Sequence, residues 1–271
     1  MHYRTKSLLL WIAAFLLMAS AAIYQRTTGP TYPARGTVSI GTEEINYKLI
    51  RTWEGSTDAE ITVEVPNRTI TGKYRLKRYK SYDEWSWQPL SRQGDSLIAR
   101  LPGQPPAGKV MYEIYLGTDD QLTSITGEPL ILRYKGHVPL SVLIPHIIII
   151  FMAMMFSMRT GFEALIKGKN LVKYALWTVI LLSIGGLIFG PLVQKYAFDV
   201  YWAGWPFGQD LTDNKTLVAW VMWVAAYFQV RNNPTRRGWV IAAAVVLLAI
   251  YLIPHSTFGS EIDFTQETLQ Q

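Results

Sequence analysis

Long apolar runs bordered by short basic segments constrain this chain more than any other feature. A stretch of about 20 apolar residues has few alternatives to a helix that crosses lipid. The runs are residues 7–24, 139–158 and 174–192, with 217–230 and 239–253 short for a span, the former expected to extend into its polar flanks or to lie beside a thinned or protein-filled region. Three flanking segments, 1–6, 159–173 and 231–237, hold nine Lys and Arg against one acid, Glu163. Of 26 basic and 20 acidic residues in the chain, 17 and 19 remain elsewhere, so the net charge of +6 is concentrated in those three segments. Short membrane-flanking loops with such an excess are cytoplasmic by the positive-inside rule. Five crossings with the N-terminus inside then put 26–136, 193–216 and the tail from His255 outside.

Composition removes several classes of function. With 49% hydrophobic and 17% charged residues the chain is too apolar to be disordered. The absence of cysteine excludes disulfides, iron–sulfur clusters, covalently attached haem, Cys-ligated zinc and thiol catalysis. The pI near 9.4 does not imply nucleic acid, because the basic residues are segregated into membrane-flanking loops. No phosphate-binding loop, His-Glu-x-x-His or Gly-x-Ser-x-Gly motif is present.

The first run has two readings. It is either an uncleaved anchor or a signal peptide with Ala19-Ser20-Ala21 as its small-residue cleavage pattern. Both send the following segment across the membrane. From about residue 26 to 136 short alternating segments are broken by Gly, Pro, Asn and Asp: Ile45, Tyr47 and Leu49; Ile61, Val63 and Val65; Leu97, Ala99 and Leu101; Tyr112, Ile114 and Leu116. Such alternation predicts half-buried antiparallel strands, about eight of them, forming a β-sandwich able to fold alone. One of Trp85 and Trp87 is expected in its core. The stretch from Tyr74 through Trp87, Gly94–Ala99 and Gln104–Lys109 to Tyr112–Tyr115 resembles bacterial fibronectin type III or immunoglobulin-like domains. That resemblance implies a spacer or adhesion module and no chemistry.

Ionisable residues associated with the membrane gather toward the outer side. His146 lies in the outer half of the second run, His255 stands at the end of the fifth, and Asp199, Asp210, Asp213, Lys215 and Glu261 occupy the outer connections. Intramembrane ionisable groups are functional candidates by default. Leu-Ile-Pro-His occurs twice, at 143–146 and 252–255. A proline frees a carbonyl one turn back, and the imidazole after it can bond that region or serve as a ligand. Two such histidines could bind b-type haem or, with the carboxylates, a divalent metal; alternatively His146 bonds a backbone carbonyl and His255 is interfacial. The outer loop from Tyr196 to Lys215 is dense in aromatic residues, which suits a lid over a quinone or lipid tail, or an interfacial belt with Asp213 capping the next helix. Arg159 and Glu163 are spaced as a helical i,i+4 pair, expected as a cytoplasmic salt bridge. Lys73, Arg75, Lys77, Arg78 and Lys80 read as a solvated sheet face.

Gln104-Pro105-Pro106-Ala107-Gly108-Lys109, Ile144-Pro145-His146, Gly204-Trp205-Pro206-Phe207-Gly208, Leu211-Thr212-Asp213-Asn214-Lys215 and Pro254–Glu261 together resemble a group of uncharacterised multi-spanning bacterial envelope proteins. The resemblance implies residence in the bacterial inner membrane and carries no activity. The expected architecture is a membrane α-helical bundle of about five spans plus an all-β extracytoplasmic sandwich between spans 1 and 2. Its parts are residues 1–25, 26–136, 137–255 and a tail 256–271. The expected function is a structural, scaffold or accessory component of an envelope complex, in contact with the bilayer and a partner protein, without nucleic acid and without a catalytic residue. The alternative is a redox protein holding haem, quinone or a divalent metal through His146 and His255.

Overall fold

The computed structural model describes residues 3–118, 121–254 and 259–267. The chain divides into a helical unit, residues 1–30 with 138–259, and a β unit, residues 31–137 with 260–271.

In the helical unit the apolar runs form α1 (Tyr3–Thr28), α2 (Leu140–Leu165), α3 (Leu171–Leu182), α4 (Gly190–Phe198), α5 (Leu211–Asn232) and α6 (Gly238–Leu252). A π-helical stretch, Ser183–Phe189, joins α3 to α4. Among the described residues three helical stretches are long and apolar enough to cross a membrane: Arg4–Thr28, Leu140–Leu165 and Leu171–Phe198. The expectation of about five spans is therefore corrected. α5 is long, at 22 residues, but carries Asp213, Lys215, Gln229 and Arg231. α6 is strongly apolar but its 15 residues rise only about 22 Å, short of a ~30 Å hydrocarbon layer. Both pack on the others, with Ala153, Trp223, Ala226, Val240 and Ala243 sharing one core. α1 belongs to the bundle as well: Met18 and Ala21 are buried with Met154 and Tyr251. Large apolar side chains such as Phe15, Leu16 and Ile148 stay exposed, as lipid-facing positions do.

The described residues of the β unit form eleven strands where about eight are expected, the difference being short pieces at sheet edges. They are β1 (Ala34–Ile40), β2 (Glu43–Leu49), β3 (Thr52–Glu54), β4 (Ala59–Glu64), β5 (Thr71–Arg78), β6 (Ser86–Pro89), β7 (Ser91–Gln93), β8 (Ser96–Leu101), β9 (Lys109–Thr118), β10 (Gln121–Ser124) and β11 (Leu130–Lys135). One sheet runs β3-β11-β9-β5-β6 with β10 beside β9; a second runs β4-β8-β7; β1 and β2 form a hairpin. All pairings are antiparallel except β3 with β11. Gly41 and Gly94 hold positive φ in the two-residue turns of β1–β2 and β7–β8, where other residues are strained. The alternating residues of β4 and β8 and those of β5, β9 and β11 fill one core, whose largest side chains include Tyr112 and Tyr134. Neither Trp85 nor Trp87 belongs to it, and Trp87 is 46% exposed. The register explains this: Trp87 lies opposite Arg75, and Arg75 points away from the core that its neighbours Tyr74 and Leu76 enter.

The C-terminal segment belongs to the β unit. Ile262 N–H donates to the Ala107 carbonyl, Arg133 donates to the Ser260 carbonyl, and Glu261 pairs with both Lys80 and Lys109. A short α7 (Phe264–Glu267) follows, and the Arg78 guanidinium lies 4.5 Å from the Phe264 ring centroid.

Candidate functional site

Asp210, Asp213 and Lys215 do come together, at the start of α5, and each one organises backbone. Asp210 caps α5, its Oδ1 accepting from the backbone N–H of Thr212 at 2.8 Å and of Asp213 at 3.4 Å. Asp213 Oδ2 accepts from the N–H groups of Ala203 at 2.6 Å and Gly204 at 3.1 Å, and Asn214 Oδ1 from that of Trp205 at 2.7 Å. The aromatic loop is thus clamped to the first turn of α5, so tightly that a side chain at Gly204 would collide with Asp213. Lys215 Nζ donates to the Ile253 carbonyl at 2.9 Å, placing a cation on the C-terminal end of α6. Three charges at one helix entrance therefore do three separate capping and clamping jobs. Tyr201, Trp205 and Phe207 remain exposed on the clamped loop.

The other candidates disperse. Asp199 ends α4 in the left-handed region and pairs with Lys195 at 2.6 Å on the surface. His146 Nδ1 lies 3.0 Å from the Gly185 carbonyl, inside the π-helical stretch. That carbonyl already accepts the N–H of Gly190, so the imidazole bridges α2 to the widened turn of its neighbour instead of the break Pro145 makes in its own helix. π-Helical turns are rare and occur mostly inside α-helices. Close packing reinforces this bridge, since a side chain at Gly185 or Gly186 would press on Ile149, Ile150 or Thr216. His255 falls outside the described residues. Glu261 is engaged within the β unit, as above. Among the described residues no three His, Asp or Glu side chains are arranged to hold a metal ion.

A centre that spacing alone undervalued lies at the other end of the helical unit. Arg159 and Glu163 form the expected i,i+4 pair at 2.6 Å, but each is only 1% exposed. Around them α1, α2 and α3 meet. Arg159 reaches Ser7 Oγ at 3.4 Å and lies 4.9 Å from the Tyr174 ring and 5.6 Å from the Trp11 ring. Trp11, Phe156 and Tyr174 pack edge to face beneath it. Glu163 Oε1 accepts the N–H of Asn170, where α3 begins, and a side chain at Gly168 would collide with that carboxylate. Arg237 donates to the Glu163 and Gly168 carbonyls at 3.4 Å. All three basic segments of the sequence are thereby gathered at one end of this unit. The sequence signal for burial is weak, because Ser7, Trp11 and Tyr174 lie in other runs.

In the β unit the outward side chains of β5 interleave with tryptophans. Lys73 Nζ lies 4.6 Å from the Trp87 ring, the Arg75 guanidinium 4.6 Å from Trp85 and 5.7 Å from Trp87, and Lys77 Nζ 5.3 Å from Trp85. The Tyr115 ring lies 5.0 Å from that of Trp87, tilted by 52°. Arg75 also pairs with the buried Glu113 at 2.6 Å, whose other oxygen accepts from Ser124. Burial pushes the Glu113 carboxyl up, but Ser124 and Arg75 outweigh it and hold it below the usual glutamate range. At the far end of the same face, burial likewise pushes Glu261 up while Lys109 and Lys80 bring it below the ordinary value. Lys109 is itself lowered, because its burial outweighs the pull of Glu261.

Comparison with known proteins finds no family model, no curated relative and no solved structure that matches the chain.

Proposed function

We propose that this chain is a bacterial inner-membrane protein whose helical unit anchors an immunoglobulin-type β-sandwich on the periplasmic side, as a scaffold or accessory component of an envelope complex. The observation that carries the reading is the gathering of the three basic segments at one end of the helical unit, through Arg159 to Ser7 and Arg237 to Gly168. That end is cytoplasmic by the positive-inside rule. α1 starts from it and α2 returns to it, so residues 31–137, which the chain runs through between them, are expected on the periplasmic side of the membrane. The C-terminal segment shares that side through Glu261. Strand order supports the immunoglobulin-type description: β4-β8-β7 against β3-β11-β9-β5-β6, with β3 parallel to β11, matches B-E-D against A′-G-F-C-C′. The cofactor reading has less behind it, since His146 is already engaged by the Gly185 carbonyl.

The cysteine-free background makes the test direct. Single changes Ser91→Cys and Gln266→Cys are expected to react with an impermeant maleimide in intact spheroplasts, and Asn232→Cys to react only after lysis. Labelling of Asn232→Cys in intact spheroplasts with protection of the other two overturns the orientation. A Soret band in the purified protein overturns the choice against haem.

A further inference from the structure

We propose that the outer face of the larger sheet, around Lys73, Arg75, Lys77, Trp85 and Trp87, is a recognition surface for an extended acidic segment of a partner protein, laid along strand β6. This deepens the scaffold reading by naming the chemistry of the partner.

Four observations converge on it. The row Lys73, Trp87, Arg75, Trp85, Lys77 alternates cation and ring, and the rings hold the long basic side chains against the sheet, so their ordering is already achieved before anything binds. Lys73 and Lys77 form no ion pair with a carboxylate among the described residues, whereas the charge of Arg75 is answered by Glu113. β6 ends its sheet, pairs only with β5 among the described residues, and is exposed along all four of its positions. An open edge is a template for one more strand. Most directly, the chain already uses the neighbouring part of this face in the proposed way. Register places Lys109 and Arg133 opposite each other and on the outward side of the sheet with Lys77 and Arg75. There the chain's own segment Ser260-Glu261-Ile262-Asp263-Phe264 is seated, its Glu261 on Lys109 and its Ser260 carbonyl accepting from Arg133. The uncovered half repeats that chemistry.

Charge and spacing select the occupant. A second copy related by a two-fold axis would bring Lys73 and Lys77 against their own equivalents, which repel. Lys73 and Lys77 lie four residues apart on one strand, about 13 Å, with Arg75 midway. Carboxylates at every second position of an extended peptide repeat at about 6.6 Å and meet such a row in step. Tryptophan and tyrosine flanking cations also make a surface of the kind that supplies most of the binding energy at protein interfaces.

The test uses the full chain in neutral detergent, so it is independent of membrane orientation and can fail while the labelling result stands. The probe is a fluorescein-labelled ten-residue peptide alternating Glu and Thr, followed by anisotropy at low salt. Saturable binding is expected, weakened at least tenfold by Lys73→Gln with Lys77→Gln and by Trp87→Ala, and unchanged by Lys48→Gln on β2. Retention of the cooperative melt by each variant separates lost binding from lost folding; Lys73→Arg with Lys77→Arg, expected to bind as the parent does, serves the same purpose. The proposal is overturned if the peptide does not bind, if Trp87→Ala leaves binding unchanged, or if Lys48→Gln weakens it equally. It is also overturned if sulfated dextran or phosphatidylglycerol vesicles bind through these residues and the peptide does not.

Discussion

Arg159 and Glu163 show what a buried charge demands of its surroundings. Removing two ions from water costs several kcal/mol each, and only good geometry with further hydrogen bonds compensates. Here Ser7, the N–H of Asn170 and the faces of Trp11 and Tyr174 supply that compensation, although the Nε of Arg159 has no hydrogen-bond partner among the described residues. Glu163→Gln leaves the guanidinium buried without its counter-charge, so it is expected to destabilise the helical unit by about 3–5 kcal/mol. The double change Arg159→Met with Glu163→Leu is expected to recover most of that loss. Resistance to sodium dodecyl sulfate unfolding, followed by tryptophan fluorescence, measures both. Equal stability of Glu163→Gln and the parent would mean that the pair is solvated in the membrane. The i,i+4 spacing made this pair legible; its burial was not, because that depends on α1 and α3 closing over it.

Among the elements, α1 poses the sharpest alternative, a retained helix or a cleaved leader. Its packing argues for retention. Gln25 Nε2 donates to the Tyr251 carbonyl at 2.8 Å in a buried position, Ala14, Met18 and Ala21 are buried, and Ser7 and Trp11 complete the surroundings of Arg159. Cleavage after Ala21 would strip the bundle of Ser7, Trp11, Ala14, Met18 and Ala21 and expose a charged centre, although Gln25 would remain. The intact mass of the purified protein is therefore expected to include residues 1–21, and a mass beginning at Ala22 would refute the argument. In the β unit, alternation made β2, β4, β8 and β9 readable in advance. It misassigned β6, because a short edge strand with tryptophans looks the same whether its rings enter a core or stack on cations, and only the register with β5 distinguishes the two.

For the β unit taken whole, the seated C-terminal segment matters most, since it covers Lys109 and Arg133, which would otherwise leave basic groups half-buried on the sheet. The Glu261 carboxyl lies below its ordinary value in the folded protein. A carboxyl depressed on folding adds stability that is present above the unfolded value, about 4.3, and is lost as pH falls through the lower folded value. Acidification through that lower folded value is thus expected to release the segment, seen as faster proteolysis between residues 260 and 267. Glu261→Gln should show that faster cleavage already at pH 7; protection that is independent of pH and of this substitution would mean the ion pairs do not hold the segment.

What the sequence determined alone was local and periodic. Apolar runs became helices, alternation became strands, basic residues marked one end of the helical unit, and Asp210 stood where a helix cap was needed. Hydrophobic periodicity and charge are properties of neighbouring residues, so no fold is required to read them. The tertiary structure decided everything that depends on partners distant in the chain: Glu261 with Lys80 and Lys109, His146 with Gly185, Asp213 with the turn at Gly204, and the covering of Arg159 by α1 and α3. It also decided that, among the described residues, three helices and not five have both the length and the apolar character to cross a membrane, since helix ends are set by caps and packing that a hydropathy run does not contain. Polar and charged side chains can be satisfied by water, by backbone or by one another at similar free energy, and only the folded chain selects among these.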